Sequence, residues 1–160
     1  MEVKGRHVYA QGVDTMFKSF GDPRRIEARF KALGARNIQI DHCKLTKTAL
    51  DMTMRREMPV EAPGLLKKFL GAWNQSTQTE HWAGSATKGY VCALTIVLKG
   101  VPVTVTGNYF LSGDAHQCTN DVTLSFESSI PLVGQKLAEF VGNQAKLVMQ
   151  REYEFICRSF

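Results

Sequence analysis

The stretch from Ile130 to Phe160 constrains this chain more than any other. It opens Ile130-Pro131-Leu132-Val133-Gly134 and holds no further proline. Leu137, Phe140, Val141, Gln144, Leu147, Val148 and Phe155 recur at three- and four-residue steps, the spacing of one stripe of an amphipathic helix. Lys136, Glu139, Asn143, Lys146, Gln150, Glu152 and Arg158 form its polar back. Ser128 or Ser129 can cap the start, and Pro131 suits the first turn, where its missing N–H costs nothing. A helix of about 25 residues is roughly 37 Å long. Such a helix needs a surface to cover with its apolar stripe, because it is not stable alone in water.

The preceding sequence supplies a sheet. Val3 to Gln11 alternates loosely and predicts a first strand, with Gly5, His7 and Tyr9 on one face. Asp14 can cap a short helix over Thr15–Phe20, which Gly21 ends. Asp22-Pro23 begins a second, with Ile26, Phe30 and Leu33 as its apolar stripe and Gly34 just past its end. Ala35 to Cys43 reads as strand two, with Ile38, Ile40 and His42 sharing a face. Lys47 to Met58 has the cleanest alternation: Leu50, Met52, Met54 and Met58 against Asp51, Thr53, Arg55 and Glu57. Arg56 is the exception, since parity turns it to the apolar side. Pro59 and Pro63-Gly64 break the pattern, and Leu65–Leu70 predicts a helical turn closed by Gly71. Four more strands follow: Trp73–Ala83, polar and rich in Thr and Gln; Tyr90–Leu98; Val101–Leu111; and one marked by Cys118, Val122, Leu124 and Phe126. Short connections make these strands antiparallel neighbours. The expected class is α+β: a seven-stranded curved antiparallel sheet around a long C-terminal helix, with two short helices between strands 1 and 2.

At 160 residues one domain over 1–160 is expected, large enough to bury about two-thirds of its extended surface. The net charge of +5 is spread without any run of five like charges, which argues against nucleic acid as a partner. No 18-residue apolar run exists, so no membrane insertion is expected. Met1-Glu2-Val3-Lys4 leads straight into polar sequence, and none of Cys43, Cys92, Cys118 and Cys157 forms a Cys-x-x-Cys pair. A cytoplasmic protein with four reduced thiols, no metal site and no cofactor is the expectation.

Few residues are placed for chemistry. Arg56 on an apolar strand face costs several kcal/mol unless something pairs with it. It either anchors a ligand carboxylate or phosphate, or it sits at the strand end and snorkels to water or pairs with Glu57, Glu61 or Glu80. His7 and His42 fall on expected inward faces, where a neutral imidazole can serve as acid or base or simply fill a hydrogen-bonded core position. His81 beside Trp82 has no evident partner, and no nucleophilic triad, metalloprotease motif or phosphate loop is present.

Several short motifs, in this order, resemble one bacterial branch of the START-like proteins. They are Asp22-Pro23, Arg55-Arg56-Glu57-Met58-Pro59, Pro63-Gly64-Leu65-Leu66-Lys67-Lys68-Phe69, Gln78-Thr79-Glu80-His81-Trp82, Gly100-Val101-Pro102-Val103 and Pro131-Leu132-Val133-Gly134. This is the helix-grip or SRPBCC superfamily, which includes birch-pollen-allergen-like proteins and polyketide cyclases; the branch is one of unknown function. The sequence departs from the branch at Arg24-Arg25, where an aromatic commonly follows the Asp-Pro. The resemblance implies a deep cavity between sheet and helix for lipids, sterols, polyketides or other apolar molecules.

Parity and the helix stripe name the residues expected to bind a ligand there: Tyr9, Met52, Met54, Arg56, Val103, Val105, Tyr109, Val122, Leu124, Leu137, Phe140, Val141, Gln144 and Val148, with Leu50 also inward. A mostly apolar lining with Arg56, Tyr109 and Gln144 as polar points favours a hydrophobic small molecule with one polar or anionic end. Binding without catalysis is the first expectation. The alternatives are a polyketide-cyclase-like enzyme using Arg56 with His7 or His42, and a protein-interaction module whose pocket is filled by its own side chains.

Overall fold

A computed structural model describes residues 1–160. The chain runs β1 (Glu2–Tyr9), α1 (Val13–Phe20), α2 (Pro23–Ala32), β2 (Arg36–Leu45), β3 (Ala49–Pro59), β4 (Trp73–Ser85), β5 (Gly89–Leu98), β6 (Thr104–Gly113), β7 (Cys118–Glu127) and α3 (Gly134–Arg158). All seven strands form one antiparallel sheet in the order β1-β7-β6-β5-β4-β3-β2. From β2 to β7 the sheet is a meander whose connections are short turns, except for the longer link over 60–72 between β3 and β4. The paired helices α1 and α2 carry the chain from one edge strand to the other. Helix α3 lies across the inner face against β1, β7 and α2, so the fold is the expected helix-grip arrangement.

Local chemistry explains most boundaries. Asp22 caps α2 by accepting a 3.0 Å hydrogen bond from the Arg24 amide, with Pro23 at the first helical position. Gly34 follows that helix at φ +92°, the left-handed conformation glycine reaches without strain. Asp14 does not cap α1. The Val13 amide donates to Asp114 O at 2.9 Å, the helix starts there with Gly12 as its N-cap residue, and Asp14 pairs with Lys18 at 3.1 Å.

Three sequence expectations shift. Strand β6 starts at Thr104, not Val101, because Pro102 has no N–H to give a ladder and Val103 folds back on Val101 O at 2.9 Å. The register of β2 slips between Ile40 and His42, so Ile40 and Cys43 oppose the inward Met54 and Met52. That bulge turns His42 out to solvent, against its expected inward placement. Helix α3 begins at Gly134 with no side-chain cap, after Pro131–Val133 form a separate turn with Leu132 at φ +69°.

The helix is also rotated from the expected stripe. Ala138, Gly142, Ala145, Met149 and Ile156 turn inward, while Leu147 is 62% exposed and Phe140 is only half-buried. Gly142 explains this. A Cβ there would stand 2.7 Å from Met1 Sδ and 3.3 Å from Phe126 Cδ2, so α3 lies close on β7 at that point. Leu137, one turn before Phe140, is fully enclosed.

Candidate functional site

Between α3 and the inner sheet face lies a cavity of about 180 Å³. Arg56, Asn74, Ser76, Gln78, Val105, Tyr109 and Leu124 line it from the sheet, Phe30 from α2, and Phe140, Val141, Gln144, Val148, Met149 and Glu152 from α3. Beside it is an inner chamber of about 40 Å³ walled by His7, Tyr9, Arg29, Glu80, Trp82, Asn120 and Val122, among others. Tyr109, Met149 and Glu152 line both spaces and form the partition between them.

Of the residues expected to line one pocket, Arg56, Val105, Tyr109, Leu124, Phe140, Val141, Gln144 and Val148 are brought together on the larger cavity. Tyr9 and Val122 fall on the inner chamber. Met52, Met54 and Leu137 line neither: each is at most 1% exposed and packed in the core, as is Leu50. Val103 sits in the bend before β6 and borders an outer groove with Ser128 and Ser129. Parity identified the inner face correctly but could not say which part of that face is packed and which is open.

Arg56 is the principal charge on the cavity wall. It is 8% exposed, and its guanidinium carbon stands 4.4 Å from the centre of the Phe30 ring. It belongs to no ion pair. Of its expected partners, Glu57 is engaged by Arg36 at 3.2 Å and by Asn37, while Glu80 accepts hydrogen bonds from Gln78 and Trp82. Arg56 Nε and Nη1 are buried with no hydrogen-bond partner in the protein. Burial lowers its pKa to about 10, with Glu152 pulling the other way, so the group remains cationic at neutral pH.

Sequence reasoning missed the inner face of β4. Asn74, Ser76, Gln78 and Glu80 are buried there, in parity with Trp82 and across from Met58, Arg56, Met54 and Met52. The signal was present: polar residues at the parity of a tryptophan, in a strand flanked by two apolar ones. Glu80 Oε1 accepts from Gln78 Nε2 at 2.6 Å and Oε2 from Trp82 Nε1 at 2.8 Å. Burial nevertheless pushes its pKa up, toward the neutral acid. Turning the Gln78 amide over would let its carbonyl accept the Glu80 proton.

The inner chamber sets a few polar groups among apolar walls that include Phe20, Val122, Met149 and Ile156. Arg29 Nε approaches Glu152 Oε1 at 3.2 Å without hydrogen-bond alignment, and Asn120 Oδ1 is buried without a partner. His7 stacks on Tyr153 at 4.5 Å, and desolvation lowers its pKa, which favours the neutral ring. Burial raises the Tyr9 and Tyr109 hydroxyls, so both stay protonated. His42, exposed on β2, converges with none of these. His81 does have a partner: Asp51, across the outer face, at 2.6 Å from its Nδ1.

A seven-stranded antiparallel sheet gripping a C-terminal helix, with a cavity between them, is a START-like fold. Solved structures of the same shape include TTHA0849 from Thermus thermophilus (TM-score 0.64, 10% identity, 99% of each chain covered). A START superfamily protein from Mycobacterium smegmatis is also similar (TM-score 0.55, 10% identity, 99% of each chain). So is dicamba monooxygenase bound to dichlorosalicylic acid (TM-score 0.50, 11% identity, 98% of this chain and 48% of that one). These likenesses establish the fold. The chain itself belongs to the family described as Protein of unknown function (DUF2505), whose model matches residues 4–158. No curated protein matches its sequence. No helix is long and apolar enough to cross a membrane.

Proposed function

We propose that the protein binds a small amphipathic anion in the cavity between sheet and α3, with the acidic group on Arg56 and the apolar body against Val105, Leu124, Phe140 and Val148. The observation that carries this reading is the buried, cationic and unpartnered guanidinium on an otherwise mostly apolar wall. Burying such a group is costly, and a carboxylate or phosphate matches its planar fork. Size narrows the class. A cavity near 150 Å³ holds one benzene ring in a well-studied unrelated case. At about 180 Å³ this one suits a single-ring aromatic acid or a medium-chain fatty acid, not a sterol. Its four free thiols are in keeping with action in the cytoplasm.

The test is displacement of a lipophilic fluorescent probe by aromatic and medium-chain acids, alongside the corresponding alcohols. Acids should compete at micromolar concentration and alcohols far less. Arg56→Met should weaken the acids about ten- to hundredfold. The same substitution should leave the melting temperature of the unliganded protein unchanged or higher, because an uncompensated buried charge is removed. Acids binding Arg56→Met as tightly as the native protein, or a large loss of stability with no change in binding, would sink the proposal.

A further inference from the structure

The inner chamber holds two buried atoms that make no hydrogen bond: Arg29 Nε, a donor that faces Glu152 Oε1 at 3.2 Å without alignment, and Asn120 Oδ1, an acceptor on a residue 5% exposed. Both stand on the wall of the same 40 Å³ space. A buried acceptor left without a donor is costly, so the space is suited to a polar occupant. Charge limits what that can be. Arg29 and Glu152 face each other and offset, and Glu80 is held toward its neutral acid, so the chamber favours neither a cation nor an anion and the occupant is neutral. A carbonyl would answer Arg29 but leave Asn120 Oδ1 bare. A hydroxyl has a hydrogen to donate to Asn120 and lone pairs to accept from Arg29, and it is the smallest ligand group that combines the two.

Tyr109, Met149 and Glu152 line both this chamber and the cavity that holds Arg56, so the two spaces adjoin at these side chains. Glu152 stands against Arg29, and Tyr109 is fixed between sheet neighbours in β6. Met149 is the movable part, an unbranched thioether with three rotatable bonds. We propose that the inner chamber is a second subsite of the same pocket, receiving a hydroxyl at the far end of the acid held on Arg56, and that Met149 is the side chain that yields to admit it. The inference rests on the binding reading above and narrows its ligand class to hydroxy acids.

The experiment is a competition series of straight-chain carboxylic acids of increasing length, each with and without a terminal hydroxyl, and of phenyl-substituted acids with and without a para-hydroxyl. The readout is the affinity ratio of each hydroxy acid to its plain partner. Short members should give a ratio of one. Past the length that reaches the chamber, the ratio should rise to about two- to tenfold. Asn120→Ala should return that ratio to one. Met149→Phe, which thickens the partition, should do the same while folding normally by circular dichroism, and Met149→Ala should lower the length at which the preference begins. If acids bind through Arg56 but no length shows a hydroxyl preference, the chamber is a water site only and the subsite is overturned while the binding reading stands. If Arg56→Met leaves every acid's affinity unchanged, the binding reading fails, and the subsite fails with it.

Discussion

Strands β3 and β4 lie side by side and turn the same face inward, yet those faces are opposites. On β3, Leu50, Met52 and Met54 are at most 1% exposed and meet no cavity. On β4, their cross-strand neighbours Trp82, Glu80 and Gln78, with Ser76 and Asn74 beyond, all line one cavity or the other. The methionines, flexible and apolar, look like ligand contacts in the sequence but are packing. The sequence marks β4 only as a polar strand rich in Thr and Gln, yet its inner face forms the pocket wall. Open space inside a protein is where polar side chains are tolerated, because water or a ligand can complete their hydrogen bonds. Arg56 stands at the junction, on the apolar strand but opposite Ser76, and shares the open side.

The sharpest way to break this contrast is to remove volume from the packed side. Met54→Ala should cost about 2–5 kcal/mol in urea unfolding, because the site is fully enclosed and cannot collapse freely. A loss well under 1 kcal/mol would mean that β3 faces open space after all. Next comes the charge state of β4. Burial holds the proton on Glu80 above the usual carboxylate range, whereas the unfolded chain releases it there. The folded state then binds more protons, so stability falls as pH rises from the ordinary value to the raised one. Glu80→Gln keeps the polar contacts and removes the titration. Its stability should pull ahead of the native protein across that window by up to about 1.4 kcal/mol per pH unit, and the two should run parallel at more acidic pH. Parallel curves at every pH would show that Glu80 is ionised in the fold. The smallest effect is expected at Ser76, whose hydroxyl makes no hydrogen bond in the protein. Ser76→Ala should change stability by about 0.5 kcal/mol or less, so a multiple of that would place Ser76 in a packed network instead.

The sequence carried the element order, the antiparallel meander and the capping of α2 at Asp22-Pro23, because those follow from local periodicity and local hydrogen bonds. It also carried the inward direction of Arg56, since side-chain parity survives along a regular strand such as β3. The same rule failed for His42, where one extra residue in β2 reverses the alternation, and no local signal announces such a bulge. Leu147 lies outside the inward stripe of α3 because the helix is turned to bring Gly142 against Met1 and Phe126, residues far away in the chain. The cavities belong wholly to this second category. Periodicity says which side chains share a face. The separation between two facing surfaces depends on where distant elements touch, and that alone decides that Met54 is packed, Gln78 is open and Asn120 is left without a partner.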